Sequence, residues 1–514
     1  MNSPQHWFRA GNPLTRRMSI YEDLRALNDA LRFDPLLGLD IRSLTIFERT
    51  TLLLGDKLPL TPTAKSLELC MTIHAMVAAS YALRNPTLPG ARRWVDQAIR
   101  YGRDGRSNQS SQRALVAPGS SLLLVKGASG LSKSVTLKHT ARTLGDQVIV
   151  HDNVEEALWR RQQQLIYLYV AMSHDGSRGG LLMAILITVD ELVGTSYAID
   201  LPRTYKTVDR LASAVVALLH TYYVGVLIID EIQWFNTMAT HHSTEMQMFF
   251  LTMSNSGIPL VLSGNPRGFG WISALSQNKT RAHERPPVHF HPCGSMGKLS
   301  ESVDEEWETV ASGVRKYYVL HDAPVDIQTC LVELKRLSGG IPRVALALWC
   351  QAQCSALMSA EESISSEHIR AAYESFDDDM RALCDGFANK DSILLRRWRD
   401  DVDVDFYAKV WGQKEPGGPR EPVGDSKTKF AASEGSPDLE EVPPGYRDVP
   451  KGDPKRRAPR SAAALLKAQQ TRERKNDQER EKLAGTLQSN DMRMNGMIEH
   501  SLAGFDAMMK SADL

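Results

Sequence analysis

The sequence has no excess of either charge: 61 Lys and Arg balance 61 Asp and Glu across 514 residues. No global basic field therefore marks it as a nucleic-acid binder. Cysteine is scarce and unpaired. Cys350 and Cys354 stand one helical turn apart, yet no His or Cys pair follows at zinc-finger spacing. With Cys70, Cys293, Cys330 and Cys384 they are expected to be reduced packing thiols of a cytoplasmic protein. The opening MNSPQHWFRAGNP lacks the apolar core of a signal peptide. The longest apolar run, near 215–229, is broken by His220, Thr221 and Gly225, too interrupted for a membrane span. No repeat period is present, so no repeat array is expected. The expectation is a soluble protein with no membrane partner.

A 42% hydrophobic share gives ample material for a core, and the length suggests about two to four structural units. Charge is unevenly placed. Residues 1–114 hold 16 basic against 10 acidic side chains, and residues 451–480 hold 10 against 4, so each is net +6. Such asymmetry suits a phosphate backbone as well as a solvated face.

Periodicity divides the chain. Residues 1–115 carry apolar residues at three-to-four spacing, as in AKSLELCMTIHAMVAASYAL, and read as mainly helical, closing in the polar loop 102–112. Residues 116–298 alternate short apolar strands with amphipathic helices, the pattern of a parallel sheet covered on both faces. The expected strands are Ser121–Lys126, Gln147–His151, Leu165–Val170, Val226–Asp230 and Pro259–Ser263. Residues 299–411 return to helical patterning. Residues 412–460 are rich in Pro, Gly and mixed charge and read as a disordered linker. Residues 461–514 read as a helical, partner-binding tail, with Met494, Ile498, Phe505 and Met509 at near-helical spacing.

The chemistry concentrates at LLLVKGASGLSKS, residues 122–134. An apolar strand runs into Gly127, Ala128, Ser129, Gly130, Leu131, Ser132, Lys133, Ser134 and Val135, and a helix follows. In a phosphate loop of the GxxxxGK[ST] kind, backbone N–H groups cradle the phosphates of ATP, the lysine reaches the outer oxygens and the hydroxyl binds Mg²⁺. Ser132 stands where that pattern has its last glycine, so its Cβ crowds the phosphates or strains the turn. The second motif is VLIIDEIQ, residues 226–233. It sets two carboxylates at the C-terminal end of a buried strand, where open α/β sheets bind ligands. Asp230 would hold the Mg²⁺ and Glu231 would orient and deprotonate the attacking water. Asn265, just past the strand LVLSG, is placed to sense the terminal phosphate. Arg343, in GGIPR, is placed to reach a nucleotide from a helix start. Arg281 and Arg285 are candidates for reaching a neighbouring subunit's nucleotide, and chemistry does not choose between them.

This order of loop, acid strand, Asn strand and Gly-x-x-Arg helix resembles an AAA+ module with its helical lid. VLIIDEIQW, IPLVLSGNP and LYVAMSHDGSRGG narrow the resemblance to the TnsC and TniB ATPases that regulate DNA transposition. It runs from about residue 30 to about 390, with DEIQ and SHDGS its most specific points. The resemblance implies an α/β fold, an AAA+ P-loop parallel sheet flanked by helices, with an N-terminal helical region, a helical lid and a tail. It implies ATP hydrolysis and assembly into homo-oligomeric rings or filaments on duplex DNA. Its partners would be transposase subunits and a target-selector protein. Phosphate-directed DNA contacts would come from Arg178, Arg203 and Lys206, in the loop after SHDG and in DLPRTYKT. Lys133, Ser134, Asp230, Glu231 and Asn265 match the family's motif positions, Arg343 only its general lid arginine. Ser132 departs from the family pattern, which puts the hydrolysis rate in question. The alternatives are an initiator or helicase loader, which the low-complexity sequence after 412 disfavours, and a nucleotide-binding scaffold with little hydrolysis.

Overall fold

A computed structural model describes residues 11–55, 58–104, 122–234, 256–269, 285–296 and 305–413, together with Met246, Phe249, Phe250, Met253 and Ser254. The expected linker and tail, most of the loop 102–112, and Arg281 lie outside the described residues. The helices α1 (Pro13–Arg16), α2 (Leu24–Leu31), α3 (Ile46–Leu54), α4 (Ala64–Leu83) and α5 (Pro89–Asp104) come first. The central region contains β1 (Leu122–Lys126), α6 (Lys133–Thr143), β2 (Val148–Val154), β3 (Trp159–Leu165) and β4 (Tyr167–Ala171). It continues through α7 (Arg178–Val193), α8 (Tyr197–Thr204), α9 (Val208–Thr221), β5 (Val226–Asp230), β6 (Leu260–Gly264) and β7 (Val288–His289). Six helices close the described chain: α10 (Glu305–Lys316), α11 (Ile327–Ser338), α12 (Pro342–Met358), α13 (Ser366–Glu374), α14 (Asp378–Ala388) and α15 (Val404–Val410).

Five strands form one parallel sheet in the order β4-β5-β6-β1-β7. Strands β1, β5 and β6 are buried almost throughout, because helices cover both faces. Side chains alternate between those faces. Leu123, Val125, Ile228 and Val261 join one core with Leu137 of α6 and Leu69 and Ile73 of α4. Leu122, Leu124, Leu227, Ile229 and Leu262 join the other, with Leu182 and Ile185 of α7 and Val215 and Leu219 of α9. Each such Leu, Ile or Val stabilises the fold by about 1.5–3 kcal/mol relative to exposure. Truncating a central one such as Ile228 would therefore cost a large share of a typical domain's net stability.

The sequence placed four of these strands and misjudged the rest. Gln147–His151 is not in the parallel sheet. It lies within β2, which pairs antiparallel with β3 in a separate two-stranded ribbon. Strand β3 (WRRQQQL) went unread because most of it is polar and partly exposed. Buried Gln164 anchors the ribbon, bonding His151 at 2.7 Å and donating to the Leu14 carbonyl at 3.0 Å. The sheet edge β7 has only two residues, too few for a period to register. Helix α4 is long and apolar enough to cross a bilayer by length and composition. Here Leu69, Ile73, Met76, Val77 and Tyr81 sit wholly in the core. None of the six cysteines is in a disulfide, and five of them are buried.

The N-terminal helices and the closing helices are joined across the fold by Arg49 of α3. Its guanidinium makes a two-pronged contact with Glu362, at 2.6 and 2.9 Å. That pairing holds the Glu362 carboxyl down at about 2.

Candidate nucleotide site

Strand order explains why distant motifs meet. Because β6 lies between β1 and β5, the turn after β1, the residue after β6 and the acids ending β5 share one edge of the sheet. All strands run the same way, so this is their C-terminal edge. Ser129–Val135, Asp230, Glu231, Asn265 and Arg343 line a single cavity of about 1190 Å³ there. Leu58, Pro59 and Leu60, before α4, and Val310 and Leu346 of the closing helices give the same cavity an apolar end.

The loop is built by close approach. A Cβ on Gly127 would lie 2.7 Å from the Phe290 carbonyl oxygen, so only glycine fits beside the β7 edge. Gly130 adopts φ +81°, the left-handed region that glycine enters freely. Ser132 adopts φ 63° as well, with a side chain that caps nothing. The strained turn expected from the missing glycine is therefore present, at a cost of about 1–2 kcal/mol. Arg343 is drawn in by its backbone, whose N–H donates to the Gly130 carbonyl at 3.1 Å.

Lys133 is buried, and its Nζ donates to the Ala128 carbonyl at 2.7 Å. Burial lowers its pKa, opposed by the carboxylates of Asp401, Asp230 and Glu231. An ammonium with a single such partner has two N–H groups left to offer an anion. Asp230 is 2% exposed. The Tyr169 hydroxyl of β4 donates to its Oδ2, and the Glu231 N–H donates to its Oδ1 at 2.9 Å. Burial first, and the Asp230 carboxylate next, hold the Tyr169 phenol well above its usual pKa, so it stays a donor.

Glu231 takes φ 60°, a left-handed conformation that turns the chain sharply as β5 ends. Gln233 donates to its carboxylate, while the Gln233 side-chain oxygen accepts from the Asn265 N–H at 3.3 Å. One amide thus spans the acid and the Asn strand.

The arrangement suits a magnesium triphosphate. A hydroxyl at Ser134 and a buried carboxylate at Asp230 are the hard oxygen donors that Mg²⁺ prefers. Lys133, the loop N–H groups and the N-terminus of α6 supply positive potential to phosphates. Bound there, the metal would neutralise charge developing between the outer phosphates. Glu231, held by Gln233, could orient a water and take its proton.

Other expected residues are not brought to this cavity. Arg285 is partly buried just before β7 and does not line it. Arg178 is not in a loop. It opens α7, and its guanidinium meets Asp209 of α9 at 2.6 Å. Arg203 sits near the end of α8, and Lys206 follows that helix, both exposed.

Sequence reading missed three groups at the site: Tyr169, Gln233 and Asp401. Gln233 lay in plain view inside DEIQ without an assigned role. Asp401 arrives from 136 residues beyond Asn265, and nothing in the sequence links them.

Residues 118–270 match a family described as AAA domain. No curated protein matches the chain. Among solved structures, the ADP form of the Aeropyrum pernix ORC2 protein is 14% identical, with 54% of this chain and 67% of that one covered and a TM-score of 0.35. Drosophila ORC bound to DNA is 12% identical over 78% of this chain and 86% of that one, at a TM-score of 0.36. The Thermotoga maritima RuvB Holliday junction branch migration motor is 14% identical over 62% and 81%, at 0.28. Likenesses this distant carry no functional inference. The match over 118–270 and the five-strand parallel sheet make this region an AAA+ P-loop fold.

Proposed function

We propose that this AAA+ region hydrolyses ATP, and that the chain is a DNA-binding regulator of transposition of the TnsC and TniB kind. The observation that carries the first part is the meeting of Lys133, Ser134, Asp230, Glu231 and Asn265 on one cavity. In this reading the loop and Lys133 hold the phosphates, Ser134 and Asp230 hold Mg²⁺, Glu231 activates water, and Asn265 faces the terminal phosphate. Arg343 reaches the nucleotide from the start of α12.

The second part is supported by sequence: DEIQ and SHDGS at the ends of β5 and β4, and basic residues on and beside α8. ATP would drive assembly of copies on duplex DNA, with Arg281 or Arg285 of one copy completing the site of the next. The tail, 461–514, would engage transposase subunits, and a target-selector protein would choose the DNA. Lys133→Ala is the test. It is expected to abolish ATP-stimulated binding to duplex DNA in a gel-shift or anisotropy assay. ATP stimulation surviving in that variant would place the nucleotide elsewhere.

A further inference from the structure

Asp401 belongs to no motif, yet it is embedded in the phosphate loop. It lies in the turn between Leu394–Trp398, a short 3-10 helix, and α15. Its Oδ2 accepts the Ser129 backbone N–H at 2.7 Å, and its Oδ1 accepts the Ser129 hydroxyl at 2.8 Å. The Asn265 side-chain amide donates to the same Oδ1 at 3.2 Å and to the Asp400 carbonyl at 3.1 Å. Asp401 also acts on Lys133 through its charge. The residue is 9% exposed. A carboxylate is a planar anion with two acceptor oxygens. Two loop donors, a side-chain amide and a nearby ammonium are the set that a phosphate would use.

We propose that Asp401 is an internal ligand for the terminal-phosphate position, and so the residue that sets the preference between nucleoside triphosphate and diphosphate. The inference rests on the nucleotide reading given above. Ser129 and Asn265, which line the cavity, would face the terminal phosphate, while Gly130–Ser134 lead into α6 and would hold the inner part of the nucleotide. A diphosphate fills the inner part and leaves the Asp401 contacts intact. A triphosphate brings its last phosphate to the same donors, and two anions cannot share them. Triphosphate binding therefore requires the turn at 399–403 to withdraw. That turn is tethered on both sides. The Asp401 and Val402 N–H groups donate to the Trp398 carbonyl at 3.0 and 2.7 Å. Beyond it, the Tyr407 hydroxyl bonds the His291 ring at 2.9 Å. A turn seated about nine-tenths of the time would lower apparent triphosphate affinity roughly tenfold and leave the diphosphate untouched.

The test is to titrate ATP and ADP, each with Mg²⁺, into wild type, Asp401→Asn and Asp401→Ala. The Asn variant keeps the shape while removing the charge. The ratio of ADP to ATP dissociation constants is expected to rise about tenfold in both variants, through tighter ATP. In wild type, a slowly hydrolysed ATP analogue should speed hydrogen exchange at the Asp401 and Val402 amides, and ADP should not. An unchanged or reduced ratio in both variants would overturn the inference while leaving the nucleotide site standing. So would added protection of those two amides by the ATP analogue. Failure of all three proteins to bind either nucleotide would remove the nucleotide reading, and this inference with it.

Discussion

The cavity at the sheet edge and the surface positions Arg178, Arg203 and Lys206 on and beside α7 and α8 differ in how much their surroundings constrain them. In the cavity, residues from widely separated stretches of chain meet, and the acids and the loop have defined partners. Asp230 is held by Tyr169 and the Glu231 backbone N–H, Glu231 by Gln233, and Ser129 by Asp401. On the surface, Arg203 and Lys206 are exposed charges, and Arg178 already faces Asp209 at 2.6 Å. An ion pair with one exposed partner is worth about 0–1 kcal/mol, so the Arg178 pair would yield easily to a phosphate. Enclosure ties geometry to chemistry, whereas an exposed charge becomes informative only when a partner gathers several of them.

Substitutions should separate the two regions by the size and kind of effect. The largest belongs to the cavity. Glu231→Gln is expected to cut ATP turnover by about 10²–10⁴-fold, the usual share of general-base catalysis, with nucleotide affinity little changed. Steady-state turnover beside a binding titration checks this, and equal background rates in both proteins would favour the scaffold alternative. The surface should respond more weakly and through salt. Replacing Arg203 and Lys206 together by Ala is expected to reduce the slope of log affinity against log salt by about 2, one for each phosphate that is no longer neutralised. Salt-dependent anisotropy with two unrelated duplexes reads it, and an unchanged slope removes both residues from the interface.

The smallest effect returns to the loop. At Ser132, glycine would relieve about 1–2 kcal/mol of left-handed strain, against about 0.5–1 kcal/mol for the more flexible unfolded chain. Ser132→Gly should thus raise stability by up to about 1.5 kcal/mol and speed hydrolysis. Denaturant unfolding measures the first, and a loss of stability would mean the serine side chain holds the turn.

What the sequence disclosed follows the same division. Strands β1, β5 and β6 were legible because their burial on both faces demands continuous apolar runs. The loop and acid pair were legible because phosphate chemistry fixes residue types at short spacing. Strand β3 was not, since polar residues on an exposed ribbon carry no period, and β7 was too short. Asp401 was invisible for another reason: its role comes only from folding, which brings it against Ser129, 272 positions away. Tyr169 was hidden likewise, one strand over from the carboxylate it holds.

The central claim is that one magnesium triphosphate lies between residues 127–134 and the acids that end β5. Manganese can replace magnesium and scatters anomalously, so a crystal grown with Mn²⁺ and a slowly hydrolysed ATP analogue locates the metal directly. One strong peak is expected between the Ser134 hydroxyl and the Asp230 carboxylate. Nucleotide bound with its metal remote from both residues would contradict the claim.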